Sequence, residues 1–192
     1  MKSRITTGRG DQGRSQALDG GEYSKSHPIM ECIGVLDELR AQLALTRLLI
    51  IEEQDPSHRD LIDFLTWILN ACFAIGAECS DPLCRKPPLH KVRISAKHIE
   101  RLEAEQTRIE ARIALPREFV LSASTVAAAQ MDITCTTARR FERNLVRLIE
   151  HMPGFDASKL LVFANRLSDC LYVMARWLDG GGFCKVDYSL LE

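Results

Sequence analysis

No apolar run in this 192-residue chain approaches the roughly 18 to 20 residues needed to cross a bilayer, so a membrane-spanning protein is not expected. Residues Met1 to Thr6 carry charge with no apolar segment behind them, which does not read as a secretory leader. The seven cysteines are scattered and include no Cys-x-x-Cys pair. That argues against a zinc ribbon or a disulfide mini-protein; free thiols in a reducing cytoplasm are the expectation. Charge of one sign is also missing. The formal net charge is −1, so no global basic field draws the chain to nucleic acid or an anionic membrane. Aromatic residues are few, at 6%, yet an apolar share of 46% supports one domain with a sizeable core.

The first 28 residues differ from the rest. Gly8, Gly10, Gly13, Gly20 and Gly21 are mixed with Arg4, Arg9, Arg14, Asp11 and Asp19, without apolar periodicity. This reads as a flexible arm. From Ile29 the pattern becomes helical: Ile29, Ile33, Leu36, Leu39 and Leu43, continued by Leu48 and Leu49. Asp55-Pro56-Ser57 breaks the chain and starts a second stripe of Leu61, Leu65, Ile68, Cys72, Ile75 and Cys79. Ser95 can cap a third helix through Ile113, ended by Pro116. A fourth runs from about Thr125 to His151, with Val126, Ala129, Ile133, Ala138, Phe141, Leu145 and Leu148 on its apolar side. Asp156 can cap a fifth, ended by glycines at 180–182. The expected fold is all-α, an up-and-down five-helix bundle. The expected organisation is an arm at 1–28, a bundle at 29–180 and a tail at 181–192.

Three clusters are more polar than a bundle requires. The first is Thr7-Gly8-Arg9-Gly10-Asp11-Gln12-Gly13-Arg14-Ser15, followed by Lys25. Glycines let backbone amides curl around an anion, and Arg, Lys and Ser add donors for phosphate oxygens. The Gly-Lys-Ser/Thr ending of a Walker loop is absent, and a plain disordered terminus fits the same composition. The second is Arg139-Arg140-Phe141-Glu142-Arg143, where Arg139 and Arg143 lie one turn apart; a solvated face with internal ion pairs fits it equally. The third is Asn165-Arg166-Leu167-Ser168-Asp169, with Asn165 and Asp169 on one face, facing either a ligand or water. Asp37-Glu38 is similar, at the edge of the first apolar stripe. Histidines 27, 58, 90, 98 and 151 show no metal-ligand spacing.

In this order the clusters resemble the PduO-type ATP:cob(I)alamin adenosyltransferases. The family's N-terminal Thr-x-Thr-Gly-Asp-x-Gly-Thr-Thr loop corresponds to residues 7–15, its Gly-Gly to Gly20-Gly21 and its Ser-Lys to Ser24-Lys25. Its Val-Asp-Glu-Leu looks like Leu36-Asp37-Glu38-Leu39, and its Leu-Gly-Ala-Glu like Ile75-Gly76-Ala77-Glu78. Its Arg-Arg-x-Glu-Arg is residues 139–143, and its Asn-Arg-Leu-Ser-Asp is complete at 165–169.

The resemblance implies a homotrimer with active sites between neighbouring subunits. ATP with magnesium is held by Thr7, Gly10, Asp11, Gly13, Ser15 and Lys25 of the loop, and by Arg139, Glu142 and Asn165. Glu142 serves on the magnesium side, and Arg139, Asp37 and Phe119 are the expected catalytic residues. Reduced cobalt attacks the 5′ carbon of ATP, giving adenosylcobalamin and tripolyphosphate. Phe119 matches the aromatic that helps remove the lower axial ligand of cobalt. A corrinoid-dependent acceptor enzyme is a further implied partner. The chain departs from the pattern at Cys135, where the family has an Arg that pairs with the Asp of Val-Asp-Glu-Leu, and at Arg9 and Arg14, where the loop carries threonines. The alternative implied by these departures is a non-catalytic corrinoid- or nucleotide-binding relative for delivery, storage or sensing.

Overall fold

The computed structural model describes residues 5–6, 8–87, 92–115, 117–121, 123–180, 182 and 184–191. Five helices carry the fold: α1 (Pro28–Glu52), α2 (Arg59–Ser80), α3 (Ala96–Glu110), α4 (Val126–His151) and α5 (Ser158–Leu178). Each start has a local cause. Pro28 opens α1, and His27 Nδ1 accepts from the Ile29 amide at 3.2 Å, satisfying a donor the helix cannot. Asp55 accepts from the Ser57 amide at 2.8 Å and starts a single 3₁₀ turn, Pro56–His58, that leads into α2. Ser95 and His98 form a reciprocal cap on α3. Thr125 accepts from the Ala128 amide at 3.0 Å at the head of α4. Asp156 stands one residue earlier than a cap, bonding Ser158 ahead of α5.

Contacts between helices fix their directions. Cys32 meets Cys79 and Arg47 meets Thr66, so α1 and α2 are antiparallel. Trp67 stacks near His98 and Asp60 pairs with Arg108, so α2 and α3 are antiparallel. His27 meets His151 and Glu38 pairs with Arg140, which orients α4 against α1. Asp132 binds Arg176 and Glu142 binds Asn165, which orients α5 against α4. The bundle therefore runs up, down, up, down, up, as the sequence predicts. Its core is a continuous cluster including Leu39, Leu65, Leu102, Phe141 and Phe163. Burying a side chain of this size stabilises the fold by roughly 1.5–3 kcal/mol.

Three details correct the sequence reading. The segment Pro56–Ser80 is long and apolar enough, at a mean hydropathy of 1.4, to match a membrane span by composition. It is a bundle helix, with Leu65, Ile68, Ile75 and Cys79 fully buried. Leu48, Val126 and Ile133, placed on apolar stripes, are exposed, because the buried line of α1 is Ile29, Cys32, Leu36, Leu39, Leu43, Thr46 and Ile50 and that of α4 includes Met131, Thr134 and Cys135. The leader is not all loop: β1 (Arg14–Gln16) pairs antiparallel with β2 (Glu22–Ser24). Strands of three residues are too short to show alternation.

A buried ionic knot ties α4, α5 and the segment preceding α4. Arg176 pairs with Asp132 at 2.7 Å and with Asp179 at 3.2 Å. Asp179 Oδ1 accepts from the Ser124 amide at 2.6 Å and its hydroxyl at 2.8 Å. Beyond it, Lys185 pairs with Glu118, and the Val186 amide donates to the Phe119 carbonyl at 3.2 Å, laying the tail along residues 118–121.

Candidate active site

Two groups of polar residues are built by different means. The first belongs to the leader. The Asp11 amide donates to Gly8 O at 3.3 Å and the Gly13 amide to Gly10 O at 3.2 Å, so the chain makes two successive turns. Gly13 has φ +72, a conformation that a side chain would strain. Lys25 returns across the loop: its amide donates to Gly13 O at 2.8 Å, and its Nζ would lie 3.1 Å from a Cβ on Gly10. The structure thus gathers Gly10, Asp11, Gly13 and Lys25. It also revises one expectation: the Gly13 amide is spent inside the turn, so Gly13 contributes shape rather than a donor. Ser15 lies in β1 opposite Tyr23. Arg14 is used by the hairpin, donating to Glu22 O at 2.8 Å. Thr7 lies outside the described residues.

The second group lies across α4 and α5. Arg139 Nη2 stands 3.8 Å from Asp169 Oδ1, and Asn165 Nδ2 donates to Glu142 Oε1 at 3.1 Å. Spacings of three and four residues put each pair on one helix face, and antiparallel packing brings the faces together. Arg166 extends the network, donating to Asn165 Oδ1 at 2.8 Å and to Glu103 of α3 at 3.0 Å. Arg140, one position on and about 100° around the helix, turns away to Glu38 of α1. Arg139 is half exposed and can meet an anion from outside this chain. Glu142 and the Asn165 amide offer hard oxygen ligands. Among the described residues no three His, Cys, Asp or Glu side chains gather to hold a metal by themselves. A magnesium ion, which commonly binds through one or two carboxylates plus substrate phosphates, fits such a donor set.

The remaining expected residues are placed elsewhere. Cys135, one turn before Arg139, is buried and its Sγ donates to the Ser168 carbonyl at 3.2 Å. Burial pushes its thiol up, more than the nearby Arg139 guanidinium lowers it. It is a neutral group and supplies no cation. Asp37, with Cys135 rather than a cation at that position of α4, is 59% exposed and pairs with Arg40 of its own helix at 3.0 Å. Arg40 in turn covers the Phe73 ring at 4.7 Å. Phe119 is 82% exposed, its backbone held by the tail. Sequence reasoning missed the Arg166–Glu103 and Arg140–Glu38 partners, because spacing along one helix says nothing about which other helix lies opposite.

The point where the leader joins α1 and the Arg139 face lie at different heights. The Glu38–Arg140 pair sets Arg139 near residue 38 of α1, ten residues above Pro28, where the leader joins. At 1.5 Å per residue that is about 15 Å along the axis.

A family model described as cobalamin adenosyltransferase matches residues 5–178. The chain belongs to the cobalamin adenosyltransferase family. It is 35% identical over 175 residues to the corrinoid adenosyltransferase PduO of Citrobacter freundii, covering 91% of this chain and 50% of that protein. The chain thus spans about half the length of that relative. It is 34% identical over 184 residues to a cobalamin adenosyltransferase of Cupriavidus metallidurans, covering 94% of this chain and 91% of that one. The fold matches a variant PduO-type ATP:corrinoid adenosyltransferase of Lactobacillus reuteri, solved with cobalamin and ATP, at TM-score 0.84 and 22% identity over 95% of this chain and 99% of that one. A second variant of that enzyme, solved with ATP, matches at TM-score 0.83 and 23% identity over 95% of this chain and 100% of that one. The match to the cobalamin adenosyltransferase family spans Cys135 and the arginine and asparagine motifs of α4 and α5 that follow it.

Proposed function

We propose that this chain transfers the 5′-deoxyadenosyl group of ATP to a reduced corrinoid, releasing tripolyphosphate. The observation that carries the reading is the joint placement of Arg139, Glu142, Asn165 and Asp169 across α4 and α5. In the reaction the electron pair of reduced cobalt forms a bond to the 5′ carbon, and the bond from that carbon to the triphosphate oxygen breaks. The leaving group is a polyanion. Fixed cations and positioning are therefore the main catalytic demand. Lys25 and Arg139 meet it, with Asp11 and Ser15 bordering the loop and Asn165 orienting Glu142 by its amide. Glu142 would hold magnesium, which neutralises phosphate charge when bound. Phe119, projecting from a segment tied down at its backbone, is suited to press on the corrinoid face.

We further propose that the site is shared between copies of the chain in a homotrimer. The height difference between the leader's junction with α1 and Arg139 supports this, as do the exposed Leu45, Leu48 and Ile51 of α1 and Ile133 of α4. The seven free cysteines suit a reducing compartment such as the cytoplasm, and the product suits a corrinoid-dependent acceptor enzyme.

A second reading, a non-catalytic corrinoid or nucleotide binder, is favoured by one observation: Cys135 is neutral where the family places a cation. Incubation with ATP, magnesium and cob(I)alamin under strictly reducing conditions separates the two. Conversion of the cob(I)alamin spectrum to that of adenosylcobalamin is expected. Calorimetric binding of ATP and cobalamin without conversion would establish the second reading instead.

A further inference from the structure

We propose that Asp19 is a positioning residue for the nucleotide loop, acting through the leader hairpin; this rests on the reading that the loop binds ATP. The loop hangs from both strands of the hairpin. Gly13 precedes β1, Lys25 follows β2, and their backbones are bonded at 2.8 Å. Two strands of three residues do not hold a shape in water by themselves, so the position of the loop depends on what fixes the opposite end.

That end, residues 17–21, is fastened to the bundle through Asp19. The Ala17 amide donates to Gly21 O at 3.0 Å and the Gly20 amide to Ala17 O at 3.1 Å, closing the turn, with Gly20 at φ +84. The Asp19 side chain is 1% exposed, and its carboxylate is fully engaged. Oδ1 accepts from the Gly21 amide at 2.8 Å; Oδ2 accepts from the Tyr23 hydroxyl at 2.5 Å and from Arg85 at 3.3 Å. One carboxylate thus joins the turn, strand β2 and the segment after α2. The neighbouring backbone completes the dock at the end of α2, with the Leu18 amide on Ser80 Oγ at 2.8 Å and the Asp19 amide on Ser80 O at 3.2 Å. Tyr23 then packs on His27, the cap of α1, with ring centroids 4.5 Å apart. The bond to Asp19 is also the main cause that raises the Tyr23 phenol above its ordinary range.

In Asp19→Asn an amide replaces one acceptor, so an N–H group must face the Gly21 amide or the Tyr23 and Arg85 donors. The dock loosens while the helices keep their core. If the loop is then correctly placed in one molecule in ten, apparent ATP affinity falls about tenfold. Calorimetry of wild type, Asp19→Asn and Tyr23→Phe with ATP and magnesium, and separately with cobalamin, tests this. A rise of about tenfold in the ATP dissociation constant of Asp19→Asn is expected, with a smaller rise in Tyr23→Phe. Cobalamin affinity should be unchanged, and trypsin should cut faster after Arg14. Equal ATP affinity in wild type and a folded Asp19→Asn overturns the proposal. So does a parallel loss of both affinities with a lowered unfolding midpoint, which would mark a general structural role. Failure of the wild type itself to bind ATP would sink the reading of the loop and this inference with it, an outcome distinct from the other two.

Discussion

Arg139 and Arg140 are adjacent in the chain and do different work. Arg140 is engaged by Glu38 of α1, in a pair that is itself about half exposed. Arg139 keeps a half-exposed guanidinium with Asp169 3.8 Å away, too far to neutralise it by a good hydrogen bond. Arg139, whose only acidic partner among the described ion pairs stands this far off, is the arginine the proposed reaction would use against the developing polyphosphate charge. Replacing it by Ala should lower kcat by about 10²-fold or more, the usual cost of a lost preorganised donor. The unfolding free energy should move by no more than about 0.5 kcal/mol, since an exposed side chain is removed. Single-turnover kinetics beside a denaturant titration would show the split; parallel losses would make Arg139 a structural residue. The resemblance pointed to Arg139 alone; what Arg140 does became legible only with α1 in place, because its partner Glu38 lies about a hundred positions away in sequence.

At the scale of elements, the helix starts were legible because they are encoded locally. Ser95, Thr125 and Asp55-Pro56 each cap or start a helix as their residue types dictate. The hairpin was not read, although Asp19-Gly20-Gly21 is a strong turn signal. The buried Arg176–Asp132–Asp179 knot was also hidden, since it joins positions that only packing brings together. The junction between hairpin and α1 has a pH response of its own. His27 caps α1 through an unprotonated Nδ1. Burial, then the charge of His151, lowers its pKa, against a smaller raising effect of Asp19. The folded chain therefore holds His27 neutral more readily than the unfolded chain. The stabilisation is complete above the ordinary imidazole range and is lost as pH falls through the lowered folded value. His27→Asn keeps an N-cap acceptor and removes the titration. Thermal unfolding from pH 7.5 to about 5 should show a steeper acid loss in wild type than in His27→Asn; identical slopes would contradict the cap.

For the whole molecule, the bundle was legible from apolar periodicity, whereas the completeness of the site was not. Periodicity reports which faces are buried in one chain. It does not report that Arg139 stands about 15 Å along the axis from Pro28, where the leader joins α1. Nor does it explain why Leu48 and Ile133, which belong to apolar stripes, remain outside the core. The proposed neighbouring copy would account for both. The most direct test is complementation. Lys25→Ala and Arg139→Ala, each inactive alone, are co-refolded in equal amounts and assayed for adenosylcobalamin formation, with subunit exchange verified by mass. A loop from one copy facing an arginine helix from another restores about a quarter of the sites by random assembly around a closed ring. Recovery near that level is the predicted result. Activity no higher than that of the separate variants, in mixtures shown to contain hybrids, would contradict a site shared between copies.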